Sequence, residues 1–142
     1  MSTKTYIYPV TIQESYLDVF GHVNNAMYLT LFEEARWDII HKNGYGLKKI
    51  LETGIGPVIL EIHLKFSKEL RLRDEIVIET ELLSHTKKVA EMGQKMIRNG
   101  DVCCTAQFTI GLFSLKERKL IHPTEEWLKA IGIIGSESDG SY

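Results

Sequence analysis

The 142-residue sequence lacks the features that mark several large classes of protein. It has two cysteines, Cys103 and Cys104, and neighbouring residues of a strand point to opposite faces, so a disulfide between them would be strained. Free thiols are typical of a reducing compartment. The N-terminal stretch has no apolar run of signal-peptide length, and no segment approaches the length of a membrane span. We therefore expect a cytoplasmic protein with no membrane association.

An excess of charge of one sign is also missing. Seventeen Lys and Arg against nineteen Asp and Glu leave a formal charge of -2 and no general basic field, so nucleic acid is not expected as a partner. The composition, 44% hydrophobic and 25% charged, is that of a globular protein. We expect one domain over residues 1–134, followed by a polar and disordered tail over residues 135–142.

Several catalytic motifs are absent as well. The sequence contains no GxSxG element, no P-loop and no dinucleotide-binding glycine motif. Its five histidines are scattered without the spacing of metal ligands, so neither a metal nor another cofactor is expected. These histidines are His22, His41, His63, His85 and His122.

What is present begins with a strand and a long helix. Residues 4–12 are rich in aromatic and β-branched side chains, and Pro9 favours an edge position for this strand. Residues 25–42 carry apolar side chains at helical spacing, with Asn24 or Asn25 as the N-cap. Such a helix must be largely buried. Its apolar positions are Tyr28, Leu31, Phe32, Ala35 and Ile39.

The second half of the sequence changes to the two-residue period of strands. In residues 58–66 the side chains of Val58, Leu60, Ile62, Leu64 and Phe66 alternate with more polar ones. Further strands are predicted at 75–83, 88–98 and 102–115, the last two joined by an Asn-Gly hairpin turn. Residues 123–132 indicate a short closing helix capped by Thr124.

This order of elements predicts an α+β fold. A single apolar helix must be covered by one antiparallel sheet that wraps around it, because there is too little other structure to bury it. One sheet around one helix leaves strand edges open, which favours oligomers.

The polar stretch "DVFGHVNN", residues 18–25, stands directly before the long helix. It could be only a connection, in which the asparagines cap the helix and Gly21 allows a turn. Alternatively, it could form a site, because a helix start offers unpaired N–H groups that stabilise negative charge on a bound oxygen. Asp18 lies close enough to act on the same bound group. His22 could be a base, but a positioning role is favoured.

The longer stretch "DVFGHVNNAMYLTLFEEAR" resembles the N-terminal signature of the hotdog-fold thioesterases of the 4-hydroxybenzoyl-CoA type. In that family an Asp three residues before a Gly is followed by "HVNN", then Tyr, then "F-E-x-A-R". The resemblance covers about residues 5–130 and implies a hotdog fold, an acyl-CoA substrate and no cofactor.

The resemblance also implies residue roles. Asp18 takes the place of the catalytic carboxylate, as nucleophile or general base, and the main-chain amide of Asn25 that of the oxyanion donor. Gly21, His22, Asn24, Tyr28 and Glu34 match positions that line or brace the site. A cationic rim would contact coenzyme A (CoA) or the phosphopantetheine of a carrier protein, and its members would be Lys65, Lys68, Arg71, Arg73, Lys87 and Lys88.

Members of this family form homodimers, often paired into homotetramers, which would cover the open strand edges. The resulting hypothesis is an acyl-CoA thioesterase. Three alternatives stay open: a thioesterase acting on acyl-carrier protein, a non-catalytic acyl-binding hotdog domain, and a hydratase or dehydratase with His22 as base.

Overall fold

The computed structural model describes residues 2–134, so the predicted tail at 135–142 lies outside the described residues. Helix α1 spans Asn25–Lys42, α2 spans Leu47–Thr53 and α3 spans Glu125–Ala130. The strands are β1 (Ser2–Thr3), β2 (Tyr6–Thr11), β3 (Ile55–Phe66), β4 (Glu75–Thr86), β5 (Val89–Arg98), β6 (Asp101–Ser114), β7 (Lys119–Ile121) and β8 (Ile133–Ile134).

Helix α1 has the predicted bounds and the predicted buried face. Asn24 is its N-cap: its backbone is extended, and its side-chain oxygen accepts a hydrogen bond of 2.9 Å from the N–H of Ala26. The last turn is basic, and the chain turns away at Gly44, whose φ is +86°. The side chains that face the sheet are buried, namely Tyr28, Leu31, Phe32, Ala35 and Ile39.

One antiparallel sheet covers this helix, in the order β2-β4-β5-β6-β3, with β7 paired to β6 beyond the end of β5. β2 is an edge strand, as Pro9 predicted, since it pairs with β4 alone among the named strands. The predicted hairpin turn between β5 and β6 is confirmed by positive φ angles at Asn99 (+51°) and Gly100 (+82°). The predicted architecture, one sheet wrapped around one long buried helix, is confirmed.

The side-chain alternation predicted for residues 58–66 is wrong at its start, because β3 contains a bulge. Val58 lies opposite Gly111 and Ile59 opposite Ile110, but the next pair is formed by Glu61, so Leu60 is the additional residue. Val58 and Leu60 therefore lie on the outer face of the sheet. The alternation holds beyond the bulge, where Ile62, Leu64 and Phe66 face α1.

The sequence did not indicate four short elements: α2, β1, β7 and β8. Helix α2 has seven residues, buries none of them, and has no side-chain cap, so it carries little periodicity to detect. The three strands have two or three residues each. The predicted strand at 75–83 also extends to Thr86, past a bulge between Leu82 and Ser84. Within residues 2–134, no helix is both long and apolar enough to cross a membrane.

Candidate active site

The turn before α1 is closed by the carboxylate of Asp18. Oδ1 of Asp18 accepts hydrogen bonds from the main-chain N–H groups of Phe20 (2.9 Å) and His22 (3.1 Å), and the N–H of Asp18 donates to the carbonyl oxygen of His22 (2.7 Å). Gly21 takes the left-handed conformation, φ +79°, that the turn requires. These bonds fix the half-buried carboxylate in place. Oδ2, its other oxygen, has no hydrogen-bond partner within the described residues.

The start of α1 offers an unpaired donor. The N–H of Asn24 donates to the carbonyl oxygen of Tyr16 (2.9 Å), and the N–H of Ala26 is bound by the Asn24 side chain. Between them, the main-chain N–H of Asn25 has no acceptor among residues 2–134. It is the first N–H of an 18-residue helix and carries part of the positive end of the helix dipole. A bound oxygen that gains negative charge is stabilised at such a position.

Asp18 and Asn25 line one surface cavity, which we call the α1-start cavity. Its floor is apolar: the ring of Tyr28 packs edge-on against that of Phe66, with centroids 4.8 Å apart and an interplanar angle of 81°. Burial raises the pKa of the Tyr28 hydroxyl, so this side chain stays neutral. The remaining polar groups of the wall come from His22 and from the segment after β3, and they are Ser67, Lys68 and Glu69.

Glu69 is the charged residue of this site that the sequence did not reveal; Val23, Phe66 and Ser67 line the cavity as well and were also not predicted. Its Oε1 lies 3.2 Å from Nε2 of His22, and both side chains are about half exposed. Arg98 holds the segment after β3 in place by donating to the carbonyl oxygen of Glu69 and to Oδ2 of Asp74, both at 2.7 Å. Because His22 and Glu69 are far apart in the chain and belong to no common motif, no sequence signal could have joined them.

The structure gathers only part of the predicted cationic rim at this cavity. Lys68 lines it, and its Nζ lies 3.2 Å from Oδ2 of Asp101. Lys65 lies opposite Thr105 on the outer face of the sheet. Nη2 of Arg73 donates to both carboxylate oxygens of Glu14, at 2.7 and 2.8 Å, and the main-chain N–H of Arg71 donates to Asp74 Oδ2 (2.8 Å).

Lys87 and Lys88 lie at the far end of the same chain's sheet, in the turn between β4 and β5. That turn leads into β5 at Val89, which pairs with Gly111, whereas the cavity residue Phe66 pairs with Cys104. Seven residues of β6 separate these positions, which is about 23 Å of strand.

Glu34 is also separate from the cavity. It lines a second depression, with Asp38 and His41 on the exposed side of α1. Within residues 2–134, no group of three or more His, Cys, Asp or Glu side chains is arranged to hold a metal ion.

Comparison with known proteins assigns the chain to a family. The model of the Thioesterase-like superfamily matches residues 10–131, and the chain belongs to this superfamily. Among curated proteins it is similar to the long-chain acyl-CoA thioesterase FadM of Escherichia coli strain K12, with 29% identity over 114 residues, covering 79% of this chain and 86% of that protein.

Two solved structures are similar over most of the chain. The probable thioesterase YbaW from Escherichia coli has a TM-score of 0.77 and 26% identity, covering 87% of this chain and 94% of that one. SAV2348 from Staphylococcus aureus, solved in complex with CoA, has a TM-score of 0.84 and 17% identity, covering 92% and 84% of the two chains. The predicted hotdog fold and thioester-hydrolase class are thereby confirmed. The narrower 4-hydroxybenzoyl-CoA type stays a prediction.

Proposed function

We propose that this protein hydrolyses acyl-CoA thioesters in the α1-start cavity. One observation carries the proposal: a fixed carboxylate with an unbonded oxygen, on Asp18, lines the same cavity as the unpaired main-chain N–H of Asn25. Membership of the superfamily and the similarity to a long-chain acyl-CoA thioesterase support the substrate class. The SAV2348 structure shows that the same fold can hold CoA in another protein.

The two groups have complementary roles in the proposed reaction. The N–H of Asn25 donates to the thioester carbonyl oxygen and stabilises the negative charge that develops there. Oδ2 of Asp18 either attacks the carbonyl carbon, or removes a proton from the water that attacks it. In the first case an acyl anhydride with Asp18 forms, and water then hydrolyses it. In both cases the C–S bond breaks, and the products are the free acid and the CoA thiol.

Lys68 is the cation best placed to meet the phosphates of CoA, because it is the member of the predicted rim that lines the cavity. Its pairing with Asp101 is exposed, with both side chains about half accessible, and can be exchanged for a phosphate at little cost. In the proposal Lys65, Arg71 and Arg73 contribute only long-range attraction. An acyl-carrier protein presents the same phosphopantetheine arm and is the alternative substrate.

We also propose that the protein works as a homodimer, with homotetramers as the next level of assembly. β3 is an edge strand of the sheet, and beside its unpaired edge the side chains of Ile59, Ile62 and Phe66 are partly exposed. Antiparallel pairing of β3 with the same strand of a second copy would satisfy the free main-chain groups and cover this apolar row. The two buried free thiols suit a cytoplasmic location.

A second reaction, hydration of an enoyl thioester, is favoured by one contact. That reaction needs a base held by an acid partner, and the 3.2 Å contact between His22 and Glu69 supplies such a pair beside Asp18. An assay of enoyl-CoA hydration on the wild type distinguishes this reaction from thioester hydrolysis.

The test compares wild type and Asp18→Asn on a panel of short, long and aromatic acyl-CoAs, with one acyl chain also supplied on carrier protein. Because the asparagine oxygen can still accept from Phe20 and His22, the turn is kept and a loss of activity reports on chemistry. We expect kcat to fall by about 10²- to 10⁴-fold, the range for a positioned acid or base. Asp38→Asn, a change to a partly exposed carboxylate of α1 that pairs with Lys42, should leave kcat unchanged.

The proposed mechanism is wrong if Asp18→Asn hydrolyses the panel as fast as wild type. If the wild type binds acyl-CoA but hydrolyses none of it, the protein is a non-catalytic acyl-binding domain. Faster turnover of the carrier-protein substrate than of its CoA counterpart would favour the alternative substrate.

A further inference from the structure

Arg36 on α1 reaches into the space between the helix and the sheet. Its Nη1 donates to Oε1 of Gln94 at 2.8 Å, and its guanidinium carbon lies 4.0 Å from the ring centroid of Phe108. Gln94 is fully buried and cannot turn freely, because its Nε2 donates to the carbonyl oxygen of Phe32 (3.0 Å) and to Oγ1 of Thr80 (2.9 Å). The guanidinium is therefore held in one position, with one face on an aromatic ring.

This cation has no anionic partner in the described part of the chain. None of the carboxylates of residues 2–134 lies within 4.0 Å of its nitrogens. A guanidinium has five N–H donors, and Arg36 makes one hydrogen bond to a side-chain acceptor, the oxygen of Gln94. Burial lowers the pKa of Arg36 to about 10, although nearby Glu33 raises it, so the site is poor in solvent but the group still carries its charge at neutral pH. Buried charges in proteins are normally paired.

Arg36 also lines a cavity, which we call the Arg36 cavity. Apart from Arg36 and the exposed Glu33, its walls are apolar and come from α1, α3 and the sheet. Trp37 and Ile59, each 37% exposed, mark the side that opens to solvent at the edge strand β3. The cavity has a volume of about 90 Å³. An apolar cavity with one fixed, unpaired cation suits a ligand that is apolar with one anionic end.

We infer that the Arg36 cavity binds the carboxylate of an apolar organic acid, with the guanidinium of Arg36 as its charge partner and the acid's chain against Trp37 and Ile59. Arginine binds carboxylates through two parallel hydrogen bonds, and the donors of Arg36 that Gln94 does not occupy are available for them.

The acid has two possible sources. One is a free fatty acid. The other is the far end of an acyl thioester whose chain ends in a second carboxylate, and this source rests on the proposed function. Both cavities adjoin β3: Phe66 lines the α1-start cavity and Ile59 lines the Arg36 cavity. Asn25 and Arg36 are 11 residues apart on α1, which is about 16 Å along the helix.

The chain carries its own reporters for this binding. Its only two tryptophans, Trp37 and Trp127, both line the Arg36 cavity, so intrinsic fluorescence follows its occupancy. The test is a fluorescence titration of wild type, Arg36→Gln and Arg118→Gln with octanoate and, in parallel, with octanol. Arg118 is a matched control, since its guanidinium also lies over a ring, that of Phe113 at 5.9 Å, but on the exposed surface.

Wild type and Arg118→Gln should bind octanoate about ten- to a hundred-fold more tightly than octanol, as expected for a hydrogen bond to a charged group. In Arg36→Gln this preference should vanish, with the octanol affinity unchanged. The inference is overturned if wild type binds octanol as well as octanoate, if octanoate does not change the fluorescence, or if Arg36→Gln keeps the preference.

Hydrolysis of octanoyl-CoA and of its ω-carboxy analogue separates the two sources. If the thioester supplies the carboxylate, kcat/KM for the ω-carboxy analogue divided by kcat/KM for octanoyl-CoA should fall about ten- to a hundred-fold in Arg36→Gln. If a free acid is the ligand, this ratio stays at its wild-type value while octanoate binding is lost. Octanoate binding without any hydrolysis would contradict the proposed function and leave this inference supported.

Thermal unfolding of each variant shows whether it is folded. Should Arg36→Gln fail to fold, Arg36→Lys is the second variant: it keeps the charge and loses the planar fork. Its preference for octanoate over octanol should be smaller than in wild type but not lost. If Arg36→Lys prefers octanoate over octanol as strongly as wild type does, the two parallel hydrogen bonds assigned to the guanidinium are wrong.

Discussion

The α1-start cavity and the Arg36 cavity both adjoin α1, but they differ in how their polar groups are held in place. The α1-start cavity is made by a turn, a helix start and the segment after β3, and most of its polar side chains are exposed. The Arg36 cavity is made by the middle of the helix and by strand residues whose neighbours are core side chains. In the first, hydrogen bonds position groups that solvent can reach. In the second, packing and a buried glutamine position a cation that is partly buried.

This difference separates the groups that act on a substrate from the groups that stabilise the fold. Groups that must meet water and a large substrate stand on loops, where main-chain donors and carboxylates can stay unpaired. Groups embedded in regular elements are tied to the stability of the fold. Changes at the first cavity should therefore affect turnover with little effect on stability, and changes around Arg36 should do the reverse.

After Asp18→Asn, the largest effect is expected from Asn25→Pro, which deletes the proposed oxyanion donor. Proline is tolerated at the first position of a helix, and Asn24 before it already has the extended conformation that proline requires (φ −61°, ψ 137°). We expect kcat on octanoyl-CoA to fall about 10²- to 10³-fold. Steady-state kinetics and the helical circular dichroism signal are measured together.

The matched control is Asn25→Ala, which removes the side chain and keeps the N–H, and which should keep kcat near the wild-type value. Equal losses in the proline and alanine variants would assign the effect to the Asn25 side chain and contradict the role of the amide.

The next effect is a loss of stability from Gln94→Leu. This change removes the acceptor of Arg36 and the donor to Thr80 inside the core, so the free energy of unfolding should fall by about 1–3 kcal/mol. Urea unfolding measures it. Gln107→Leu, which removes an exposed hydrogen bond to Glu91, should change the same quantity by less than about 0.5 kcal/mol. Indistinguishable unfolding midpoints for the two variants would show that the buried network does not stabilise the fold.

A smaller effect on turnover is expected from Glu69→Gln. The contact between His22 and Glu69 is exposed, and exposed ion pairs contribute at most about 1 kcal/mol, so kcat/KM should fall no more than about fivefold. Steady-state kinetics on octanoyl-CoA measures the loss. A variant with the wild-type kcat/KM would leave Glu69 without a role at the site.

The smallest effect concerns Cys104, behind the floor of the α1-start cavity, and it is confined to alkaline pH. Burial raises the pKa of this thiol from 9.0 to about 12. Above pH 9 the unfolded chain releases this proton and the folded chain keeps it. The contribution of Cys104 to stability is therefore complete below pH 9 and is lost as the pH rises toward 12.

We expect the free energy of unfolding of wild type to fall more steeply over this interval than that of Cys104→Ala. A thiol reagent at pH 8 should modify neither buried cysteine until the protein unfolds. Rapid labelling of the folded protein would show that the floor of the cavity opens to solvent.

The sequence predicted the parts of this molecule that depend on neighbours in the chain. The 3.6-residue period gave the bounds of α1, Pro9 indicated the edge strand β2, and "NG" marked the β5–β6 turn, because each signal reflects a local conformational preference. The bulge in β3 was missed, since the additional residue Leu60 is defined by the pairing of its neighbours Ile59 and Glu61 with β6 and not by its own side chain.

The same distinction between local sequence and distant contacts applies to the residues of the candidate site. Asp18, Gly21, Asn24 and Asn25 form one local turn and helix start, so their arrangement could be predicted from a short stretch of sequence together with the resemblance to a family. Glu69 and Lys68 reach the cavity only because Arg98 and Cys103 hold the segment after β3 against it. The other predicted rim residues showed the limit of reasoning from charge alone, since charge does not reveal the end of the sheet on which a lysine lies.

By itself, the sequence determined the long helix α1, the five longer strands β2–β6, the turn at Asp18 and the unpaired N–H of Asn25, because these depend on backbone preferences within a few residues. Only the tertiary structure decided that His22 meets Glu69 and that the partly buried Arg36 bonds to Gln94 with no carboxylate of residues 2–134 within 4.0 Å. These contacts join residues from distant parts of the chain, and their energies depend on the solvent exclusion that packing creates.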